Sequence, residues 1–508
     1  MTKVAVATTS QLAADGANEV AELGGNAVDC ALAAALFTMN TEPGVCALAG
    51  STFITVWQPD GDPVTIDGNV AVPGMELPAG DRSHAASNVT LKYGGGITTL
   101  AGPGSVAVPG SLAAIEQAWQ RFGNARWADL FLPAIAATRD GFPLSLACHY
   151  YLGYAGKEIF DRSDDGFAAL HADDGKLHPV GHPIVVPHLA DTLSAIAEEG
   201  ARVFYDGELA KRISGHVRDG GGALTLQDLR NFEAIERPSL TVDINDWTIA
   251  SNPPPAVGGA TLAAMLLACS DLNQENWTTD ALARLIEVQR ATLDFRTRRL
   301  DLADDVGQEA ARLLQSAAGG QLLSKWASAS TVHTSAVDEN GVACAVTASS
   351  GYGSGEMPPG TGLWLNNCLG ELELNRRGLD AGPPGIRLPS NMAPTIARRS
   401  GRVLAAGSPG ADRITTALHQ FLVNILQMGM SLEDAIAHPR LHVDTSGESE
   451  RLMVEPGLDL PDVDMPVNVM PDLNMYFGGI GATLVDREKG FEVASDPRRD
   501  GGTRICGA

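Results

Sequence analysis

Positive charge is scarce in this chain. Lysine and arginine number 36 against 61 aspartates and glutamates, a net charge of −25 over 508 residues. Nucleic-acid phosphates and anionic membrane surfaces both need cations to meet them, so neither is an expected partner. Long apolar runs are missing as well. The most hydrophobic stretch, Ala31 to Met39, falls far short of the roughly 20 residues that cross a bilayer, and Asp29 lies just before it. Met1-Thr2-Lys3-Val4 leads directly into an Ala-rich segment read as helix, without the apolar core and cleavage site of an export signal, which points to a cytoplasmic protein. Cysteine is sparse and dispersed. Cys30, Cys46, Cys148, Cys269, Cys344, Cys368 and Cys506 stand singly with no Cys-x-x-Cys pair, so reduced, buried thiols are expected rather than a disulfide framework. There are no repeats, low-complexity tracts or blocks of like charge.

What is present is an ordinary globular composition, 44% hydrophobic and 19% charged, with plentiful glycine (56) and proline (29) for turns. Helical periodicity runs from Gln11 to Leu23 and, after Gly24-Gly25-Asn26, from Ala27 to about Met39. Ser51 to Trp57 reads as a strand. Helices are expected from Ser111 to Arg121, from Trp127 to Arg139, after Tyr205-Asp206-Gly207, over about 260–269, across 275–316 and from Asp412 to Met428. Capping-box patterns begin at Thr225 and Ser431. The stretch 157–190 carries His171, His178, His182 and His188 at irregular spacing, without carboxylate or cysteine partners arranged around them. It reads as solvated loop rather than a metal site, and no cofactor is implied.

Two β-rich runs, Thr331 to Asp338 and Val342 to Thr347, flank a turn ending in Asn340-Gly341 and read as a hairpin. An Ala/Ser/Gly-rich segment, 311–330, precedes it as a plausible exposed stretch. Downstream come Gly351-Tyr352-Gly353-Ser354-Gly355, Leu365-Asn366-Asn367, the run Pro389 to Thr395 and Gly407-Ser408-Pro409-Gly410. That order and spacing resembles the small subunit of the γ-glutamyltranspeptidase family of N-terminal-nucleophile hydrolases. Gly24 to Asp29, Asn252-Pro253-Pro254-Pro255 and Asp496 to Gly501 extend the resemblance over nearly the whole chain. It implies an α+β fold, a four-layer αββα sandwich, made of two associated fragments, 1–330 and 331–508, produced by self-cleavage of the Ser330–Thr331 bond.

The same resemblance assigns roles. Thr331 becomes the nucleophile, its own freed α-amine serving as base, since such an amine titrates at about 7.7–8.0 and lies within reach of its Oγ. Ser349 contacts the nucleophile, and the amides of Gly410 and Ala411 form the oxyanion hole. Glu371 stands where an aspartate holds the substrate's ammonium group. Ser390 and Asn391 stand at a serine pair that binds its carboxylate. Asn69 stands where an arginine would pair with that carboxylate, and Gly351 where an asparagine helps hold the amine. His333, beside the nucleophile, is read as structural, because strand alternation turns it away from Val332. Ser408 as the nucleophile of a Ser-His hydrolase is a weak reading, the Gly-x-Ser-x-Gly elbow being absent. The expected function is a self-processing amidohydrolase or acyltransferase acting on γ-glutamyl amides such as glutathione. The alternatives are an amidase for another small carboxylated amide (oxamate-like or glutaryl) and an unprocessed, non-catalytic metabolite binder.

Overall fold

A computed structural model of the chain describes residues 2–78, 85–91, 96–272, 276–318, 331–445 and 450–507. Ser330 lies outside the described residues, as does the rest of 319–330. The centre of the molecule is a pair of antiparallel sheets. The first has seven strands in the order Gly502–Cys506, Val4–Thr8, Val332–Asp338, Ala343–Ser349, Ser51–Trp57, Val64–Gly68 and Ile235–Pro238. The second has six: Gly490–Ser495, Gly481–Asp486, Arg402–Gly407, Thr395–Arg399, Trp247–Ser251 and Leu240–Ile244.

The hairpin forms the middle of the first sheet. Val332 pairs with Ala348 and Val337 with Ala343, while Ala7 pairs with Ser335 on one flank and Ser51 with Ser349 on the other. The turn is held by Asp338, whose Oδ1 accepts from the N–H groups of Asn340 and Val342, each at 2.9 Å. Asp and Asn favour turns through this kind of local bond. Strand alternation then separates the two faces. Ala336, Cys344, Val346 and Ala348 pack outward on the helices, and Val337, Ala343 and Ala345 pack inward against Ile396, Val403 and Ala405 of the second sheet.

Helices Gln11–Glu22 and Ala27–Thr41 cover the outer face of the first sheet; every residue of the second is buried. Its start explains the Gly-Gly-Asn-Ala-Val-Asp motif. Asn26 Oδ1 accepts from Val28 and Asp29, and the Asp29 carboxylate accepts from Asn26, Asn124 and Ala125. Helices Gly258–Ala268 and Arg413–Leu426 cover the second sheet through Leu262, Leu266, Leu418, Phe421 and Leu422. The expected αββα sandwich is therefore the fold. All seven cysteines are free and buried, as their spacing suggested.

Four local expectations need correction. The chain does not enter a helix after Lys3: Val4–Thr8 is a strand, its alanines accepted because neighbours on both sides and a helix layer bury them. The segment 275–316 is not one helix. It breaks into Thr279–Phe295, a π-helical turn Arg296–Leu300 and Val306–Ala318, so the expected exposed segment begins inside a helix. Trp127–Phe131 is a 3₁₀ turn ahead of helix Leu132–Asp140, with Pro133 in the first helical turn where its missing N–H is harmless. The loop 157–190 contains helix Asp164–Leu170, capped by Ser163, and His178 and His182 stack on each other with ring centroids 3.7 Å apart.

Three histidines of the 331–508 stretch are buried and held neutral. Burial lowers His333 and His419 to about 3 and His442 to about 4. The unfolded chain takes protons below pH 6.5 that the fold refuses until near pH 3–4. Stability is therefore complete above pH 6.5 and falls with acid by about 1.4 kcal/mol per pH unit for each such histidine. Urea unfolding between pH 7 and 4.5 is expected to show this slope, shallower in His419→Leu; an unchanged slope contradicts it.

Candidate active site

Thr331 immediately precedes the inner strand Val332–Asp338 and is 3% exposed. It lines one narrow cleft together with Ser51, Ser349, Asn69 and Val70, which come from the first sheet and the turn after Val64–Gly68. The opposite walls carry Glu371, Ser390, Asn391 and Met392 from the segments between the hairpin and the second sheet, and Ala411 and Ile414 at the start of helix Arg413–Leu426. The structure thus brings together Thr331, Ser349, Asn69, Glu371, Ser390, Asn391 and Ala411. Gly410 directly precedes Ala411. The cleft is tight, with about 20 Å³ free to a water-sized sphere.

The Gly407–Ala411 turn runs from the last residue of strand Arg402–Gly407 to the helix. Ala411 has φ +61°, a left-handed conformation that costs a non-glycine residue about 1–2 kcal/mol. No backbone carbonyl among the described residues takes the N–H of Gly410 or Ala411. Two unspent donors at a helix N-terminus are what a developing oxyanion requires. Ser408 Oγ donates to the Pro409 carbonyl and accepts from the Gly479 N–H, and the residue is fully buried, which removes it as a nucleophile.

Ser349 Oγ accepts from the Gly351 N–H. Gly351 has φ +65°, and a Cβ there would stand 2.3 Å from Asn367 Oδ1, so no asparagine fits at this position. Asn366 and Asn367 act as staples. Asn366 bonds Ala49, Ala107 and Cys368, and Asn367 bonds Thr99, Leu100 and Tyr352, which ties the cleft wall to the first half of the chain. His333 is also structural: its Nδ1 meets Thr347 Oγ1 and its Nε2 meets Ser335 Oγ.

The substrate-facing wall is acidic. Burial, then the neighbouring Glu373 and Asp412, push the Glu371 carboxyl well above the usual carboxylate range. Burial pushes Glu373 up to about 8 even though the Tyr352 hydroxyl donates to it at 2.8 Å. Asn391 Nδ2 donates to Asp412 Oδ1 at 2.6 Å, and the same oxygen accepts from Arg296 Nη1. Arg296 also forks onto Asp301 and is buried completely. Asn69 donates to the Leu388 carbonyl, and Asp67, two residues before it, pairs with Arg237. Sequence reasoning missed Asp412, Arg296, Tyr352 and Glu373. Only Glu373, two residues beyond Glu371 in the same loop, carried a signal. Among the described residues no group of three or more His, Cys, Asp or Glu side chains is placed to hold a metal, and no helix is long and apolar enough to cross a membrane.

Comparison with known proteins identifies the family and the fold. The chain is 27% identical over 534 residues to the glutathione hydrolase proenzyme of Escherichia coli, covering 97% of this chain and 89% of that one. It is 28% identical over 505 residues to the mouse glutathione hydrolase 5 proenzyme, covering 88% and 83%. The cephalosporin acylase of Bacillus halodurans superposes with a TM-score of 0.79 at 23% identity, over 99% of this chain and 96% of that one, which speaks for the fold. A sequence profile of the family described as Gamma-glutamyltranspeptidase matches residues 13–506. The chain belongs to the γ-glutamyltranspeptidase family, with the N-terminal-nucleophile hydrolase fold.

Proposed function

We propose that the protein is a self-processing threonine amidohydrolase or acyltransferase that works through an acyl-enzyme on Thr331. The observation that carries this reading is the convergence of Thr331, Ser349 and Ala411 on one cleft, with the N–H groups of Ala411 and the preceding Gly410 taken by no backbone carbonyl among the described residues. Both the Escherichia coli and the mouse relative are named proenzymes, which adds support for maturation by cleavage.

In the precursor, Thr331 Oγ attacks the Ser330 carbonyl carbon, the peptide nitrogen leaves as the new α-amine, and water hydrolyses the resulting ester. The products are 1–330 and 331–508, which stay associated because strands of both lie side by side in each sheet. In turnover the α-amine takes the Oγ proton as the oxygen attacks an amide carbonyl. The N–H groups of Gly410 and Ala411 receive the oxyanion, and the leaving amine departs with the proton. Water or a second amine then attacks the ester, releasing the acyl group and restoring Thr331. Ser349, next to the Gly351 amide, supports the nucleophile. γ-Glutamyl amides are the donors that the relatives' names suggest, and the first compounds to assay.

Intact-mass measurement tests the first step. The 53.0 kDa chain is expected to resolve into two species cut at 330/331, while Thr331→Ala persists as one; a wild type that stays whole on incubation at neutral pH refutes the mechanism. Ser349→Ala removes the hydroxyl proposed to hydrogen-bond the reacting oxygen. Acylation is expected to slow by about five- to tenfold, the equivalent of about 1–1.5 kcal/mol. Burst kinetics with a γ-glutamyl anilide and other short acyl anilides measure this.

A further inference from the structure

The hydrogen-bond partners of two asparagines fix what the cleft can recognise. Asp412 Oδ1 accepts from the Arg296 guanidinium, so it carries no proton, and Asn391 must face it with its amide nitrogen. The remaining amide oxygen, Asn391 Oδ1, is buried and has no partner. Asn69 meets a backbone carbonyl, Leu388 O, which only accepts, so its amide nitrogen faces that carbonyl with one N–H and its Oδ1 is turned away from it, in a residue that lines the cleft. Glu371 Oε1 is likewise buried and unpartnered. No lysine, arginine or histidine lines the cleft, and the buried Arg296 guanidinium, which shares Asp412 with Asn391, is committed to Asp301 and Asp412.

We infer that the cleft takes a short acyl group ending in an ammonium, with no carboxylate beside it: an ω-aminoacyl amide of the 4-aminobutyryl type. Three N–H donors on the ligand answer three acceptor oxygens, of Glu371, Asn391 and Asn69. A carboxylate would find serine hydroxyls but no cation in the cleft lining, and would face two amide oxygens turned from their nitrogens' partners. The arm that reads a carboxylate in a γ-glutamyl site is here turned over to acceptors. Arg296 and Asp412 are positioning residues, since they hold the Asn391 amide in its orientation. The inference rests on the reading of Thr331 as the acylated residue.

A deletion series of p-nitroanilides separates the two ideas. γ-Glutamyl carries both head groups, 4-aminobutyryl only the amine, glutaryl only the carboxylate and butyryl neither. The expected kcat/KM for 4-aminobutyryl exceeds those of glutaryl and butyryl by about tenfold or more, the worth of one charged hydrogen bond, and also exceeds that of γ-glutamyl. Glu371→Gln is expected to reduce the 4-aminobutyryl to butyryl ratio, a readout that a general folding defect does not move. Glutaryl or γ-glutamyl as the better donor, or butyryl as good a donor as 4-aminobutyryl, overturns the inference. Calorimetric binding of 4-aminobutyramide and glutaramate to the same protein gives an independent ranking. Tighter binding of the amine with no acyl adduct from any donor sinks the Thr331 reading and keeps the head-group inference. Adducts that form fastest from glutaryl do the reverse, and failure of both amides to bind overturns the inference outright.

Discussion

The site depends on one strand being held from both sides. Val332–Asp338 hydrogen-bonds to Val4–Thr8 along one edge and to Ala343–Ser349 along the other, and two further layers press on its faces. A new chain terminus created at its head would therefore not fray as exposed termini do. An amine and a hydroxyl on one residue can serve as base and nucleophile only if their positions survive the cut. The sheet provides that permanence, and the acyl-transfer machinery can consist of little more than one residue and two backbone amides.

Around that fixed point, the cleft is unusual in its electrostatics. Glu371, Glu373 and Asp412 crowd one wall, and burial holds the first two well above their ordinary titration range. Two asparagines occupy positions where the family resemblance implies a cation and a hydroxyl, and each turns its amide nitrogen toward the protein itself. Specificity here is set by which end of an amide is left over. That is a hydrogen-bond property and not a change in shape.

Much of this was legible in the sequence because it lies in contiguous turns. The Asn340-Gly341 turn marked the hairpin, period-two alternation turned His333 away from Val332, and the Gly407–Ala411 run marked a strand-to-helix turn that offers backbone amides. Asn69 is far in the chain from Glu371, Ser390 and Asn391, and motif resemblance alone predicted that they would meet. Arg296 could not be read in this way. It sits 116 residues from Asp412 inside a charged helical stretch, and a single π turn, invisible to periodicity, rotates it into the interior. Val4–Thr8 was misread for a related reason: its alanines favour helix locally, and only burial between two strands makes them a sheet.

The order of strands has a topological corollary. The first sheet interleaves Gly502–Cys506, then Val4–Thr8, then the hairpin, then Ser51–Trp57, so a scission at 330/331 leaves two polypeptides woven through a common sheet, neither possessing a complete one. Before the cut, folding is a unimolecular event. After it, the same architecture could be regained only by a bimolecular encounter of two incomplete halves, governed by dilution. Maturation would thus act as a ratchet, spending the chain's capacity to renature in exchange for its chemistry.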